Sequence, residues 1–310
     1  MDIDLLIFTF LLLVLISSGI ITTRYVSKIS SYLKLGHFAA GFIIIAIATS
    51  IPELVVGVTS ALEGIPELSL GNILGSNVVN LSLIIGTAVL IAGEINFKEN
   101  KIKKELTYPF FLALLPILLA LDGMLSRWDG IVLIIIFLAY FSLVFRHSEF
   151  EEEEEVVTRT QFIKSILFFT LGLLALLVSA RYLVDYASLI AVDLGIPVFF
   201  IGIIVVSFGT SLPELAFETI SMLHGYKILA IGDLMGSTVA NSTLILGAVS
   251  IISPVLVPDF TEFEIVAVFL ILLISIFILF LRSKTGLTRF RALILILIYL
   301  IFLLLTGFTM

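Results

Sequence analysis

Cysteine is absent from this 310-residue chain, and charged side chains are scarce. Without cysteine neither a disulfide framework nor a thiolate metal centre can form, although the compartment stays undetermined. Charged residues make up 13% of the chain and hydrophobic residues 60%, and the mean hydropathy is +1.24. Soluble domains are about 25% charged, so this composition predicts an integral membrane protein.

The chain also lacks a glycine-rich phosphate-binding loop, so ATP does not drive its activity. We expect no enzymatic activity, no cofactor and no nucleic-acid partner, with the lipid bilayer as the surroundings and the oligomeric state open. The net charge of −7 arises in large part from one acidic run, Glu149 and the five glutamates 151–155.

Apolar windows of about 20 residues, long enough to cross a bilayer as helices, can be placed ten times along the chain. The predicted spans are approximately 3–23, 38–61, 68–92, 107–121, 129–145, 163–184, 197–222, 228–253, 262–281 and 290–308. Five spans precede the acidic run and five follow it. An odd number per half gives the halves opposite orientations, so the sequence predicts an all-α integral membrane protein with ten transmembrane helices as two inverted five-helix repeats.

The distribution of basic residues supports this count. With Met1 outside, 15 of the 17 lysines and arginines fall in inward loops, and only Arg127 and Arg181 lie outside. Because basic residues concentrate on the cytoplasmic side, we expect both termini outside the cell membrane. The first segment has no basic stretch or cleavage site, which favours a retained helix over a signal peptide.

The acidic run marks the joint between the halves. We expect a first five-helix repeat at 1–148, an acidic cytoplasmic linker at 149–162 and a second repeat at 163–310. Such charge blocks are typical of solvated linkers. A cation sensor is the alternative, but the loop is too short to hold a folded regulatory domain.

One motif occurs twice, 161 positions apart, inside the apolar spans. Its copies read Thr49-Ser50-Ile51-Pro52-Glu53-Leu54 and Thr210-Ser211-Leu212-Pro213-Glu214-Leu215. A glutamate in a membrane helix is costly unless it faces an ion or a partner. Its duplication therefore predicts a cation site at the interface of two repeats.

Each copy offers a carboxylate and two hydroxyls within about one helical turn. Pro52 and Pro213 remove a backbone donor and release carbonyls near Ala48 and Gly209, and a released carbonyl in lipid needs a new partner. Such hard oxygen ligands suit Ca²⁺ or Na⁺ and not softer transition metals. A simple packing kink is the alternative, which the duplicated glutamates disfavour.

A second polar pair follows each glutamate, Ser76 with Asn80 and Ser237 with Asn241. The four-residue spacing places each pair on one helical face, where we expect it to complete the ion site. The glycines of the same segments are expected to serve helix packing. They are Gly71, Gly75, Gly232 and Gly236.

The charge of the two glutamates limits the possible transport mechanisms. Glu53 and Glu214 together carry −2, which one Ca²⁺ neutralises. Two carboxylates in a buried site without a cation repel each other, so that state should cross the membrane poorly. The pair therefore favours exchange, in which one set of cations leaves only as another enters.

The duplicated motif resembles the α-repeats of the sodium/calcium exchanger group of the calcium/cation antiporter superfamily, which read G-T-S-L-P-E followed by G-N-x-x-G-S-x-x-x-N/D. The matching motifs lie at 41–86 and 202–247. The resemblance implies a central bundle of the second, third, seventh and eighth predicted spans, across which the first and sixth predicted spans slide. It also implies alternating access with several Na⁺ exchanged for one Ca²⁺, and net charge movement.

Carried over by position, the resemblance implies side-chain ligands in both halves and backbone carbonyl ligands at two positions. The side chains are those of Thr49, Ser50, Glu53, Ser76, Asn80, Thr210, Ser211, Glu214, Ser237 and Asn241; the carbonyls are those of Ala46 and Ser207.

Three positions depart from the family pattern. Asn241 stands where many members carry aspartate, Asp233 replaces the asparagine of the Gly-Asn pair, and Glu218 lies one turn beyond Glu214 where the first half has Gly57. Our hypothesis is that Asp233 or Glu218 restores the lost acid and shifts coupling toward H⁺ or another stoichiometry. The alternative places both at the cytoplasmic rim or pairs them with Lys227.

The sequence thus favours exchange of Ca²⁺ for Na⁺. An H⁺/Ca²⁺ antiporter is the nearest alternative and would depend on a pH gradient. A passive cation channel is an alternative from another class, which the mirrored buried glutamates disfavour. A non-transporting scaffold would not need duplicated ligands at fixed spacing.

Overall fold

The computed structural model describes residues 2–64, 66–96, 107–146, 157–193, 207–257, 260–283 and 285–308. The acidic run, the basic segment at 97–106 and the start of the second motif at 202–206 lie outside the described residues. The helices of the first half are α1 (Asp2–Leu33), α2 (His37–Thr49), α3 (Ile51–Leu62), α4 (Pro66–Ala92), α5 (Tyr108–Leu119) and α6 (Arg127–Arg146).

The second half has the helices α7 (Arg159–Asp193), α8 (Ser207–Thr210), α9 (Leu212–Leu223), α10 (Lys227–Ile252), α11 (Phe260–Arg282) and α12 (Arg289–Phe308). Two short strands, β1 (Met124–Leu125) and β2 (Val255–Leu256), pair antiparallel. This pairing joins the two halves, as does an antiparallel bridge between Ile95 and Leu287.

Six helices of the described chain are long and apolar enough to cross a membrane, and a seventh span results if Ser17–Leu33 and α2, bent by 119°, are taken together. The prediction of a helical, multi-pass membrane protein is confirmed. The count of ten stays a prediction, because it also needs the short helix α5 and the helices broken near Ser50 and Ser211.

The predicted span 38–61 is wrong as a single helix. The chain leaves helical geometry at Ser50, with φ −80° and ψ 8°, and at Ser211, with φ −89° and ψ 6°. Pro52 and Pro213 then lie in the first turns of α3 and α9, where the missing N–H needs no partner. The prolines therefore start new helices and do not merely kink a continuous one.

Small residues let the helices that carry the two motifs approach closely. A Cβ built on Gly236 would lie 2.4 Å from the Ala46 Cβ, and one built on Gly232 would lie 2.3 Å from the Phe38 carbonyl oxygen. The matching glycine of the first half, Gly75, lies against Ser207. The predicted packing role is confirmed for these three glycines.

Helices α1 and α7 form a pair beside this centre. Tyr25 stacks on Phe168 at 4.9 Å between ring centroids, and Tyr32 stacks on Phe162 at 4.0 Å. Their buried residues belong to a small cluster separate from the large core built mainly by α4, α5, α10, α11 and α12. Helices α1 and α7 contain the first and sixth predicted spans, to which the resemblance assigns the sliding motion.

We expect Gly236→Ala to destabilise the protein by about 1–3 kcal/mol, because the added methyl overpacks the contact between α10 and α2. The measurement is the thermal unfolding midpoint in detergent. Gly71→Ala is the matched control, since a Cβ at Gly71 meets nothing within 4 Å. Equal midpoints for the two variants would contradict the close helix crossing.

Candidate functional site

The two helix breaks place a glutamate at the start of a helix in each half. Glu53 lies in the first turn of α3 and Glu214 in the first turn of α9. The unpaired N–H groups of a first turn carry partial positive charge, which favours an acidic side chain there. Each break therefore brings a carboxylate, neighbouring hydroxyls and the backbone groups of two helix ends close together.

The structure brings the predicted side-chain set into the interior of the protein. Every member is at most 8% exposed, and both glutamates are 0% exposed. The buried side chains are those of Thr49, Ser50, Glu53, Ser76, Asn80, Thr210, Ser211, Glu214, Ser237 and Asn241.

Hydroxyls from opposite halves meet in two matching pairs. Thr49 Oγ1 lies 3.5 Å from Ser237 Oγ, and Ser76 Oγ lies 3.5 Å from Thr210 Oγ1. Thr49 and Thr210 are 161 positions apart, as are Ser76 and Ser237. Each half therefore contributes its threonine to the serine of the other, and the polar centre lies between the halves.

The two carboxylates face hydroxyls of this polar centre. Glu53 faces Thr210 and Ser211, and Glu214 faces Thr49 and Ser237. All four carboxylate oxygens are buried, and none accepts a hydrogen bond within bonding distance. A buried carboxylate without donors is strongly unfavourable unless a cation compensates it. An arrangement of this kind is suited to binding a cation.

The asparagines lie where the helices change their winding. Asn80 opens a π-helical segment, Asn80–Ile84, and Asn241 lies in another, Ala240–Ile245. Such insertions are rare and occur often at functional sites.

Asn77 is a residue that the sequence reasoning missed. It accepts a hydrogen bond from Asn241 Nδ2 at 3.3 Å and donates one from its own Nδ2 to Ser242 Oγ at 2.7 Å. This arrangement leaves Asn241 Oδ1 buried and without a donor. Asn77 thus orients the amide of Asn241 so that oxygen, the cation-binding atom, is available.

The carbonyl oxygens of Ala46 and Ser207 accept hydrogen bonds from residues at the two helix breaks. The Ser50 amide donates to the Ala46 oxygen at 3.1 Å, and the Ser211 amide donates to the Ser207 oxygen at 3.3 Å. The threonine hydroxyls donate to the same oxygens, Thr49 Oγ1 to Ala46 at 3.5 Å and Thr210 Oγ1 to Ser207 at 3.2 Å, so both lone pairs of each carbonyl are engaged in this structure.

The remaining acids lie in the interior and not at a rim. Asp233 and Glu218 are both 0% exposed, and Lys227 donates to the Glu94 carbonyl oxygen. The alternative of a rim position or a pairing with Lys227 is therefore wrong. Asp233 Oδ1 instead accepts from Thr49 Oγ1 at 3.2 Å and from Ser237 Oγ at 3.4 Å.

The donor chemistry matches hard cations. No three histidine, cysteine, aspartate or glutamate side chains of the described segments converge as a metal cluster. The centre instead combines single carboxylates with hydroxyl, amide and carbonyl oxygens. Such mixed oxygen donors suit Ca²⁺ or Na⁺.

Comparison with known proteins assigns the family. The family model described as sodium/calcium exchanger protein matches residues 3–146 and 164–308. The chain belongs to the sodium/calcium exchanger family. The predicted resemblance is thereby confirmed, and the protein is a multi-pass membrane cation antiporter of this group.

Individual relatives agree with this assignment. The chain is 32% identical over 240 residues to the putative antiporter CaxA of Alkalimonas amylolytica, covering 74% of each chain. It is 26% identical to the sodium/calcium exchanger MaX1 of Methanosarcina acetivorans over 89% of this chain and 91% of that one. A solved structure of the sodium-calcium exchanger NCX_Mj, soaked with Na⁺ and Sr²⁺, matches at a TM-score of 0.83 and 25% identity over 96% of both chains.

We expect Asn77→Ala to weaken Ca²⁺ binding at least about 10-fold, because a lost supporting contact frees the amide of Asn241 to rotate. The measurement is ⁴⁵Ca²⁺ binding to the purified protein. Thr238→Val is the control at the position 161 residues later, since the Thr238 hydroxyl bonds only its own helix at the Leu234 carbonyl. Unchanged affinity in Asn77→Ala would exclude the orienting role.

Proposed function

We propose that this exchanger moves Ca²⁺ across the cell membrane in return for Na⁺, by alternating access. The observation that carries the proposal is the pair of buried glutamates, Glu53 and Glu214, whose oxygens lack hydrogen-bond donors and which each face at least one hydroxyl of the opposite half. Ca²⁺ at this point neutralises both carboxylates. Na⁺ ions at the two hydroxyl pairs neutralise them in turn.

The proposed ligands are the buried side-chain set together with two backbone oxygens. They are Thr49, Ser50, Glu53, Ser76, Asn80, Thr210, Ser211, Glu214, Ser237, Asn241 and the carbonyls of Ala46 and Ser207. The equivalent contacts made by each half support a common role for equivalent residues.

The architecture proposed for transport is two inverted five-helix repeats, 1–148 and 163–310, joined by the acidic linker, with ten spans and both termini outside. The crossed Thr49–Ser237 and Ser76–Thr210 contacts support a two-fold relation between the halves. In an inverted arrangement this relation exchanges the two membrane faces. The same polar centre can then open to either side when the α1 and α7 pair slides across it.

Burial favours an antiporter over a passive channel. Glu53, Glu214, Ser76 and Asn241 are 0% exposed, so an ion among them is closed off from both surfaces in this conformation. Release requires a conformational change, which a conducting pore does not need. Repulsion between the two carboxylates opposes that change without bound cations, and this couples exit of one cation set to entry of another.

Coupling to H⁺ is a second candidate function. The observation that favours it is the additional pair of buried acids, Asp233 and Glu218, beside a centre where Asn241 replaces a titratable group. Only a transport measurement separates the two drivers, because both use the same buried carboxylates.

The test is ⁴⁵Ca²⁺ uptake into proteoliposomes under an outward Na⁺ gradient, an outward H⁺ gradient or neither. We expect uptake with the Na⁺ gradient, and a fall of at least about 100-fold in Glu53→Gln or Glu214→Gln, since breaking a buried charge arrangement costs about 3–5 kcal/mol. Uptake under the H⁺ gradient alone would establish the proton antiporter. Uptake with no gradient would establish a channel.

Glu67→Gln is the matched control, because Glu67 lies in the first turn of α4 and is partly exposed. Like the test variants it removes one carboxylate from the start of a helix. Uptake lowered equally in all three variants would show a general effect of charge loss and would reject the assigned roles of Glu53 and Glu214.

A further inference from the structure

Two acids of the second half, Glu218 and Asp233, lie buried beside the proposed transport site. Both carboxylate oxygens of Glu218 and the Oδ2 of Asp233 are buried, and none has a hydrogen-bond donor. Glu218 lies close enough to Asp233 and to Glu214 for its charge to interact with both. A carboxylate group of this kind demands positive charge in its surroundings.

Asp233 connects this pair to the transport site. Its Oδ1 accepts from Thr49 Oγ1 and Ser237 Oγ, both members of the proposed ligand set. Its Oδ2 accepts no bond. One oxygen is therefore used at the transport site, and the other is available to a second ion.

The first half has no equivalent of this pair. The positions 161 residues earlier are Gly57 and Asn72, which are both uncharged. A Cβ on Gly57 would lie 2.8 Å from Ser69 Oγ, whereas the second half has Ala230 at the position of Ser69. Ala230 is smaller than serine and leaves more room beside position 218. The two acids therefore belong to the second half alone, whereas the proposed transport site has contributions from both halves.

Glu218 and Asp233 both lie toward the end of the bundle where α9 connects to α10. Glu218 lies one turn beyond Glu214 toward the end of α9 at Leu223, and Asp233 lies one turn before Ser237 toward the start of α10 at Lys227. Both therefore lie on the side of the connection between α9 and α10. Lys227 is not their counter-ion in this structure, because its ammonium donates to the Glu94 carbonyl oxygen at an exposed position while the Glu218 oxygens and Asp233 Oδ2 are buried without a donor.

We propose that Glu218 and Asp233 form a further cation site for a monovalent alkali ion, one helical turn from the Ca²⁺ position on the side of the α9–α10 connection. The choice of Na⁺ as this ion rests on the proposed function. Asp233 already accepts two hydroxyl donors, whereas Glu218 accepts none, so the charge left uncompensated is that of Glu218, which one monovalent ion balances. A second divalent ion would be repelled by Ca²⁺ bound next to it.

The site gives this chain one more buried cation than a symmetric pair of repeats provides. Asp233 contributes an oxygen to each position, so occupancy of the two positions is coupled through its carboxylate. Position 241 is a neutral asparagine in this chain, and the acidic charge lies instead at Glu218 and Asp233.

The test is equilibrium ²²Na⁺ binding to the purified full chain in detergent, counted per protein in Ca²⁺-free buffer. We expect Glu218→Gln to bind about one Na⁺ fewer than the unmodified protein, because one Na⁺ balances the single charge of Glu218, whose oxygens have no hydrogen-bond donor. Asp233→Asn, which introduces the residue found at position 72, should lose the same ion. Glu67→Gln is the control and should retain the full count.

The outcomes separate this inference from the proposed function. An unchanged Na⁺ count in both Glu218→Gln and Asp233→Asn, with elution and thermal unfolding like the unmodified protein, would overturn the further site. So would the loss of one bound proton, in place of one Na⁺, when Glu218 is replaced. A reduced count in a protein whose Ca²⁺ uptake ignores Na⁺ gradients would keep the site and reject Na⁺/Ca²⁺ exchange.

Discussion

The structure depends on the electrostatic cost of placing carboxylates inside an apolar bundle. Glu53 and Glu214 are fully buried and accept no hydrogen bond from the protein. In such surroundings charge interactions are much stronger than in water, so the protein around them must supply oxygens and space for a compensating cation. The helix breaks, the crossed hydroxyl pairs and the oriented asparagine all serve this requirement.

The helix breaks show how backbone and side chains cooperate. A continuous helix would keep its N–H groups and carbonyls within itself, whereas a break at Ser50 or Ser211 exposes helix ends inside the protein. The new helix start then stabilises the glutamate charge, and the glycines allow opposite halves to approach until their hydroxyls meet. Rigid helices on both sides keep the oxygens in position.

Much of the site could be predicted from the sequence, because duplication leaves a pattern that survives without coordinates. The Thr-Ser-x-Pro-Glu copies and the Ser-Asn pairs indicated oxygen ligands, and these side chains do lie together in the interior. Asn77 was missed because its role is a contact with Asn241, 164 positions away, and Thr238 holds the equivalent position. The interior location of Asp233 and Glu218 likewise depended on how α9 and α10 pack.

The sequence by itself determined the membrane class, the duplicated motif, the family and which side chains are candidate oxygen ligands, since these follow from composition and from residue types at fixed spacing. The tertiary structure decided which donors meet. It set Thr49 against Ser237, turned the amide of Asn241 and enclosed Glu218 beside Asp233. The physical reason is that spacing along one helix defines a face, whereas contacts between helices depend on crossing points that only packing against neighbours establishes.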